Sequence, residues 1–292
     1  MASGKKASKS KYSWLIALVI IAIWGVYQIV VVKPWQKPEI PEDSEFRVLF
    51  IDVGQADAAL VFCDGETMLI DGGNVGDSDR IYTVLQKQNV SHLDYVICTH
   101  AHEDHVGGLS AALTACTVGA VYSPVTEYDS KAFGNFIRKA EEQSLEIITP
   151  DVGDKIYLGG AEVEFLACDP WAEDTNNTSI VLKISYSETS FLFTGDAEVE
   201  VEQTMLEAGL DLSATVLKVG HHGSSTSTSY RFLYEVMPKY AVISVGKDNS
   251  YGHPHEEVLS RLRDADVTVY RTDELGDIEC TSDGKTVTFS VS

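Results

Sequence analysis

Positive charge is scarce in this chain of 292 residues: 22 lysines and arginines stand against 44 aspartates and glutamates, a formal net charge of −22. Lys5, Lys6, Lys9, Lys11, Lys33 and Lys37 all precede the first acid, Glu39, and the other 16 basic residues face all 44 acids. A broad nucleic-acid groove needs the opposite balance, so an anionic substrate would have to be attracted locally. Cysteine is also sparse. Cys63, Cys98, Cys116, Cys168 and Cys280 are scattered, odd in number and show no C-x-x-C spacing. That excludes a zinc ribbon and a disulfide framework, and Cys63, Cys98 and Cys168 fall in apolar strand-like runs as core residues. Low-complexity stretches and a third domain are absent from the pattern. The length suffices for one large domain or two small ones with a sizeable core.

One long hydrophobic run breaks the pattern. Ser13 to Val32 is apolar except for Ser13 and Gln28, long enough to span a bilayer as a helix. Four lysines precede it, Tyr12 and Trp14 sit at one end and Trp35 follows the other. Basic residues and interfacial aromatics so placed predict a single-pass anchor with a cytoplasmic N-terminus. A cleaved signal peptide would have a shorter apolar core and a small-x-small site, whereas this run ends in Val30-Val31-Val32-Lys33-Pro34. The expected organisation is a basic cytoplasmic tail (1–12), a transmembrane signal anchor (13–32), a Pro-rich charged linker (33–45) and an extracytoplasmic domain (46–292), placing the protein at the cell membrane.

Within that last region the densest chemistry is Thr99-His100-Ala101-His102-Glu103-Asp104-His105-Val106-Gly107-Gly108. The preceding Leu93-Asp94-Tyr95-Val96-Ile97-Cys98 reads as a buried strand, and Leu109 to Cys116 as a helix. The cluster therefore sits where a strand gives way to a helix, a frequent place for a ligand site in a layered α/β domain. Imidazoles and a carboxylate suit a borderline divalent metal such as zinc or manganese, and a tight loop can aim His100 and His102 one way, Asp104 and His105 another. The competing reading, a polar surface loop with incidental histidines, leaves the downstream partners unexplained.

Those partners follow from a repeated pattern. Ala58 to Cys63, the turn Asp64-Gly65 and Thr67 to Ile70 read as two strands closed by Asp71-Gly72-Gly73, followed by a helix from Ser78 to Gln88. Ser179 to Ile184, the turn Ser187-Glu188-Thr189 and Phe191 to Thr194 repeat this, closed by Gly195-Asp196 and a helix from Glu198 to Gly209. The strand Ala214 to Val219 then ends at His221-His222-Gly223-Ser224. Two such halves would pack sheet against sheet with helices outside and their loops at one edge. A hairpin-rich stretch is expected from Leu145 to Ala167, helices over Ser130 to Gln143 and Glu256 to Asp264, and late strands at Tyr240 to Val245 and near Val267, Ile278 and Val287.

Five motifs together carry a resemblance: Asp52-Val53-Gly54-Gln55-Ala56-Asp57, the histidine-rich loop, Phe193-Thr194-Gly195-Asp196, Leu217-Lys218-Val219-Gly220-His221-His222-Gly223-Ser224, and Ser244-Val245-Gly246 with Tyr251-Gly252-His253-Pro254-His255. In this order they resemble a metallo-β-lactamase-fold hydrolase, and within that group the hydrolase domain of ComEC-type competence proteins. Ala56 stands where the first motif usually has glycine, and the single apolar run is too little for a channel. The resemblance implies an α+β four-layer αββα sandwich and two divalent metal ions, zinc or manganese. It implies that His100 and His102 hold one metal, Asp104 and His105 the other, with Asp196 bridging and His253 completing the second site. The segment Asp174 to Ser179 has no histidine, so His222, or else His221, is expected to fill the first site. The other histidine of that pair would face substrate and protonate a leaving oxygen. Asp104 and His221 are thus the catalytic candidates, and Ser224 a donor to a phosphate oxygen. Asp71, Asp52 and Asp57 are expected to orient loops behind the ligands. His92 reads as surface, and His255 as a helix cap or substrate neighbour.

The expected activity is phosphodiester hydrolysis, foremost a DNase connected with DNA-uptake machinery. The alternatives are a small or cell-envelope phosphodiester of phosphocholine or teichoic-acid type, another hydrolysable group such as a lactone or thioester, or a non-catalytic binding module. Only Lys218 and Lys247 lie close to the motifs, which favours a compact substrate over a long DNA footprint.

Overall fold

The structure is a computed structural model and describes residues 46–291. Chain order begins with β1 (Phe46–Phe50), β2 (Ala59–Cys63), β3 (Glu66–Ile70), α1 (Ser78–Lys87), β4 (His92–Ile97), α2 (Glu103–Val106), α3 (Leu109–Ala115), β5 (Thr117–Tyr122), α4 (Lys131–Glu142) and β6 (Ile147–Ile148). It continues with β7 (Lys155–Leu158), β8 (Ala161–Ala167), β9 (Val181–Tyr186), β10 (Thr189–Phe193), α5 (Val199–Ala208), β11 (Val216–Lys218), α6 (Tyr230–Val236), β12 (Tyr240–Ile243), α7 (Glu256–Asp264) and β13 (Thr268–Arg271). A short α8 (Thr272–Leu275) leads into β14 (Ile278–Ser282) and β15 (Val287–Val291).

The strands form two sheets, ordered β15-β14-β1-β2-β3-β4-β5-β6 and β13-β12-β11-β10-β9-β8-β7. Each sheet pairs antiparallel strands (β1 to β3, β7 to β10) and then turns parallel (β3 to β6, β10 to β13). A helix covers each crossover, which a parallel pairing requires. The echo between the halves is therefore structural: β9–β10–α5–β11 repeats β2–β3–α1–β4.

Strand alternation assigns the layers. Phe46, Val48 and Phe50 of β1 point into the space between the sheets, while Leu49 points outward to the helices. In β10, Phe191 and Phe193 face inward and Leu192 outward. The inner layer is aromatic, with Phe46 tilted against Phe191 at 4.6 Å between ring centroids and Tyr122 stacked on Phe165 at 5.2 Å. Each fully buried ring contributes about 1.5–3 kcal/mol through burial. Outside, α1, α3 and α4 cover the first sheet through Ile81, Leu85, Leu113 and Phe136, and α5, α6 and α7 cover the second through Met205, Phe232 and Leu262. The layers run helix, sheet, sheet, helix.

Four details depart from the sequence reading. Strand β9 starts at Val181, because residues 176–178 form a 3₁₀ turn and the Ile180 N–H donates to the Thr99 carbonyl at 2.8 Å. Ile147–Ile148 pairs parallel with β5, so the hairpin is confined to β7 and β8. Helix α6 has no counterpart in the sequence reading, although the Ser229 hydroxyl caps it by accepting from the Phe232 N–H. The last hairpin returns to the first sheet beside β1, joined there by the Arg47–Glu279 ion pair at 2.7 Å. The anchor expected over 13–32 and the linker over 33–45 lie outside the described residues. Among the described residues no helix is long and apolar enough to cross a membrane.

Candidate active site

The parallel strands of both sheets deliver their following loops to one edge. Strand β4 leads into the histidine-rich loop, β10 into Thr194-Gly195-Asp196, β11 into His221-His222 and β12 into Ser244. Backbone bonds tie these loops together: Gly72 N–H to the His105 carbonyl at 2.7 Å, Asp57 N–H to Asp104 at 3.1 Å, and His221 N–H to Gly195 at 3.1 Å. The two glycines closing the histidine loop are there for contact. A Cβ on Gly108 would lie 2.1 Å from the Gly72 carbonyl oxygen, and one on Gly107 2.3 Å from the Val75 nitrogen.

Asp71 holds the loop from behind. Its carboxylate accepts from the Thr99 N–H at 2.8 Å and the Thr99 hydroxyl at 2.7 Å, and pairs with His105 Nδ1 at 2.8 Å. Because the carboxylate accepts, His105 carries its proton on Nδ1 and turns a bare Nε2 into the site. His222 is set the same way. Its Nδ1 donates to the Ser244 carbonyl at 3.0 Å, leaving Nε2 free.

The side chains of Asp104, His105, Asp196 and His222 bring one donor atom each within 4.8 Å of one another. His105 Nε2 lies 3.3 Å from Asp196 Oδ1, and His222 Nε2 lies 3.3 Å from Asp104 Oδ2 and 3.6 Å from Asp196 Oδ2. His100 Nε2 and His102 Nδ1 are 3.1 Å apart, and His100 Nε2 is 3.9 Å from Asp196 Oδ2. Asp196 therefore stands between the two pairs of donors. His105 Nε2, His222 Nε2 and Asp196 Oδ1 are buried without a hydrogen-bond partner among the described residues. Buried polar atoms left so are costly, and lone pairs converging from imidazoles and carboxylates fit divalent cations. A second acidic group, Asp57, Asp71 and His105, is also compact. Asp71 is already engaged by Thr99 and Asp57 by Lys218, so this group supports the site.

Electrostatics agree with an environment built for cations. Burial alone would lower the affinity of His222 for a proton, but Asp196, Asp57 and Asp104 outweigh it and push its pKa up to about 10. Burial raises Asp104, yet His222 beside it at 3.3 Å and the charge of His105 bring it down to about 2. His100, buried and beside His105, is held well below the ordinary imidazole range.

The geometry places some sequence-predicted residues differently. His222 joins Asp104, His105 and Asp196, where it was expected with His100 and His102; the β11 loop reaches across the sheet edge to the end of α2. His253 is absent from that group. It is half-buried at the cavity mouth, stacked on exposed Tyr251 at 5.6 Å, with its Nδ1 3.3 Å from Gln55 Nε2. Burial and the neighbouring His255, His221 and His222 lower it to about 4. Ser224 is buried with its hydroxyl 3.0 Å from Thr226 Oγ1, so it does not line the cavity. Asp52 orients its loop as expected, accepting from Gly54 N–H at 3.1 Å. Asp57 does more than that, pairing with buried Lys218 at 2.8 Å and reaching 3.3 Å from His222 Nδ1. His92 is exposed at the start of β4. His255 precedes α7, where its Nδ1 accepts from the Ser225 N–H at 2.9 Å.

Two participants escape the sequence reading. Glu198 Oε1 lies 3.2 Å from His221 Nδ1 and accepts from the Thr226 hydroxyl at 2.8 Å, while His221 Nε2 faces Asp196 Oδ2 at 3.7 Å. Asn176 lines the cavity with His102, Asp196 and His221. The available signals were weak: Glu198 stands two residues past Asp196, and Asn176 opens the turn before β9.

Comparison with known proteins follows the same lines. The sequence matches the metallo-beta-lactamase superfamily over residues 51–247. It is 32% identical over 269 residues to ComE operon protein 3 of Bacillus subtilis (strain 168), covering 85% of this chain and 34% of that protein. It is 32% identical over 246 residues to competence protein ComA of Neisseria gonorrhoeae, covering 83% of this chain and 33% of that one. The chain thus spans about a third of the length of these relatives. In structure it is similar to the metallo-beta-lactamase fold protein YhfI from Bacillus subtilis, with TM-score 0.52 and 13% identity over 84% of this chain and 100% of that chain. Tm1679, a metal-dependent hydrolase of the beta-lactamase superfamily, gives TM-score 0.51 and 12% identity over 77% of this chain and 95% of that one. At such identities the structural likeness is one of fold. The chain belongs to the metallo-β-lactamase superfamily and has the metal-dependent hydrolase fold of that group.

Proposed function

We propose that this protein is a binuclear-metal phosphodiesterase, foremost a DNase serving DNA uptake, held at the outer face of the cell membrane by the segment 13–32. The observation that carries the hydrolytic reading is the convergence of bare donors from Asp104, His105, Asp196 and His222 beside His100 and His102. In this reading His100 and His102 would hold one metal and Asp104, His105 and His222 the other, with Asp196 placed between the two groups as a donor to both. A metal pair supplies an activated water at neutral pH and positive charge for a phosphoryl oxygen. The chain does the rest. Asp71 and the Ser244 carbonyl fix the tautomers of His105 and His222. His221 faces the cavity with Glu198 behind its Nδ1, a pairing that suits proton donation to a leaving oxygen from Nε2.

Support for DNA comes from the competence proteins that match most of this chain. The acidic composition and a cavity lined, among the described residues, without lysine or arginine favour a short segment of strand at the site over a long footprint. They also keep open the second reading, a small or envelope phosphodiester. Support for the anchor is the apolar run of 13–32 behind four lysines.

The test uses purified protein stripped of metal and reloaded with manganese or zinc, given double-stranded DNA, single-stranded DNA and a chromogenic phosphodiester. Metal-dependent DNA cleavage that disappears in His105→Ala supports the nuclease. Turnover of the small diester alone moves the assignment to the second reading, and turnover of neither overturns phosphodiester hydrolysis. Cleavage of the C-terminal domain by protease added to intact cells tests the orientation.

A further inference from the structure

Asn176 sits in a cradle that leaves one of its atoms without a partner among the described residues. It is nine-tenths buried and lines the cavity shared by His102, Asp104, Asp196 and His221. Its Nδ2 lies 3.4 Å from Glu198 Oε1. A carboxylate only accepts, so the amide NH₂ must face Glu198, which turns the carbonyl oxygen away from it. That oxygen, Oδ1, is buried with no hydrogen-bond partner. It shares this property with His105 Nε2, His222 Nε2 and Asp196 Oδ1, the converging atoms of the metal group.

The surrounding turn is fixed. The Asn176 N–H donates to Asp174 Oδ1 at 2.8 Å, the Thr178 hydroxyl to the Thr175 carbonyl at 2.7 Å, and the Glu198 N–H to Asn177 Oδ1 at 3.0 Å. The turn also lies on the His102 side of the cavity. Tyr128 bridges the two, with its hydroxyl 3.5 Å from Thr175 Oγ1 and its ring 6.4 Å from that of His102. Just past the turn, Ile180 N–H bonds to the carbonyl of Thr99, the residue before His100.

We infer that Asn176 Oδ1 is a ligand of the metal held by His100 and His102, with Asp196 as the fourth donor; this rests on the binuclear reading above. Among the described residues the pair His100–His102 has Asp196 Oδ2, 3.9 Å from His100 Nε2, as its further donor, whereas the other group already counts four donors. An amide oxygen is a hard, neutral ligand. A site of two imidazoles and two oxygens favours manganese over zinc more than a nitrogen-rich set would.

The experiment measures metal content and manganese electron paramagnetic resonance on the full chain, for the parent, Asn176→Ala, Asn176→His and His105→Ala. The parent is expected to retain two manganese ions per chain with a spin-coupled signal. Asn176→Ala should retain one, with a mononuclear signal and an affinity for the second ion lower by about tenfold or more. Asn176→His should hold two ions again and shift the preference toward zinc. Metal-free Asn176→Ala should melt only slightly below the metal-free parent, because it gives up the long Nδ2–Glu198 contact but no bond at Oδ1. Two coupled ions bound to Asn176→Ala with parental affinity overturn the inference while leaving the binuclear site standing. A parent that binds no metal, or one ion, overturns the binuclear reading and this assignment with it.

Discussion

Lys218 and Asp57 form a buried ion pair, Nζ to Oδ2 at 2.8 Å, directly behind His222. Asp57 is thereby held ionised: burial opposes its charge, but Lys218 and His222 overcome that and lower its pKa. Removing one member strands the other's charge in the interior, which costs about 3–5 kcal/mol. Lys218→Met is expected to lose stability on that scale and to weaken metal binding, since Asp57 would then pull on His222 unopposed. Lys218→Met with Asp57→Asn should recover much of the loss in stability. Thermal melts of both single variants and the double variant check this, and strictly additive losses would contradict the pairing.

A second expectation concerns pH in the absence of metal. His222 has its pKa raised from 6.5 to about 10 by Asp196, Asp57 and Asp104 against the effect of burial. A proton on this ring takes the place of a cation among the three carboxylates. The stabilisation is fully present below the unfolded value of 6.5 and is lost as pH rises through about 10. Protein kept in chelator should therefore lose melting temperature steadily from pH 6.5 to pH 10. Metal-loaded protein should lose much less over that range, because the bound ion replaces the proton. Parallel melts in chelator and in manganese provide the measurement.

Metal binding itself should register as stability. A ligand bound only by the folded state adds about 2.7 kcal/mol at a concentration one hundred times its dissociation constant. The melting temperature of the parent should rise with added manganese and fall back when chelator is added. Asp104→Ala and His105→Ala should both show a much smaller rise, and Ser224→Ala the full rise, since that hydroxyl bonds Thr226 outside the cavity. A flattened response in Ser224→Ala would contradict the placement of that side chain.

Much of this site was legible because its chemistry is local. His100, His102, Asp104 and His105 fall within six residues between a strand and a helix, and the repeated strand-turn-strand pattern pointed to Asp196 and to the His221–His222 pair. What the sequence concealed depends on distances between loops of different strands. Whether His222 meets Asp104 or His100 is decided by where β11 ends relative to α2. His253 is turned to the cavity mouth by its contacts with Tyr251, its neighbour in the same motif, and with Gln55, which lies 198 positions away. Asn176 and Glu198 look like ordinary turn and helix-start residues, because their role comes from facing each other across 22 positions. The last hairpin was visible as two strands, but its place beside β1 rests on register, which alternation alone does not specify.

Two glycines separate contact from mere flexibility and give the sharpest prediction. At Gly108 an added Cβ would meet the Gly72 carbonyl oxygen at 2.1 Å and the carbon of that carbonyl at 3.1 Å, with no flexible side chain to give way first. Gly108→Ala must push α2 and α3 off the Asp71-Gly72-Gly73 turn, the same turn that carries the anchor of His105. The cost is expected to exceed the usual overpacking range of about 1–3 kcal/mol, and metal binding should fail with it. Gly134 offers the opposite case. It lies within α4, exposed, with nothing within 4 Å of an added Cβ. Alanine removes the entropic penalty of glycine in a helix, so Gly134→Ala should stabilise by about 0.5–1 kcal/mol and leave metal binding unchanged. Denaturant melts of the two variants, with a metal titration of each, compare the predictions directly. Equal effects at the two positions would show that the close passage of α2 and α3 over that turn does not hold in solution.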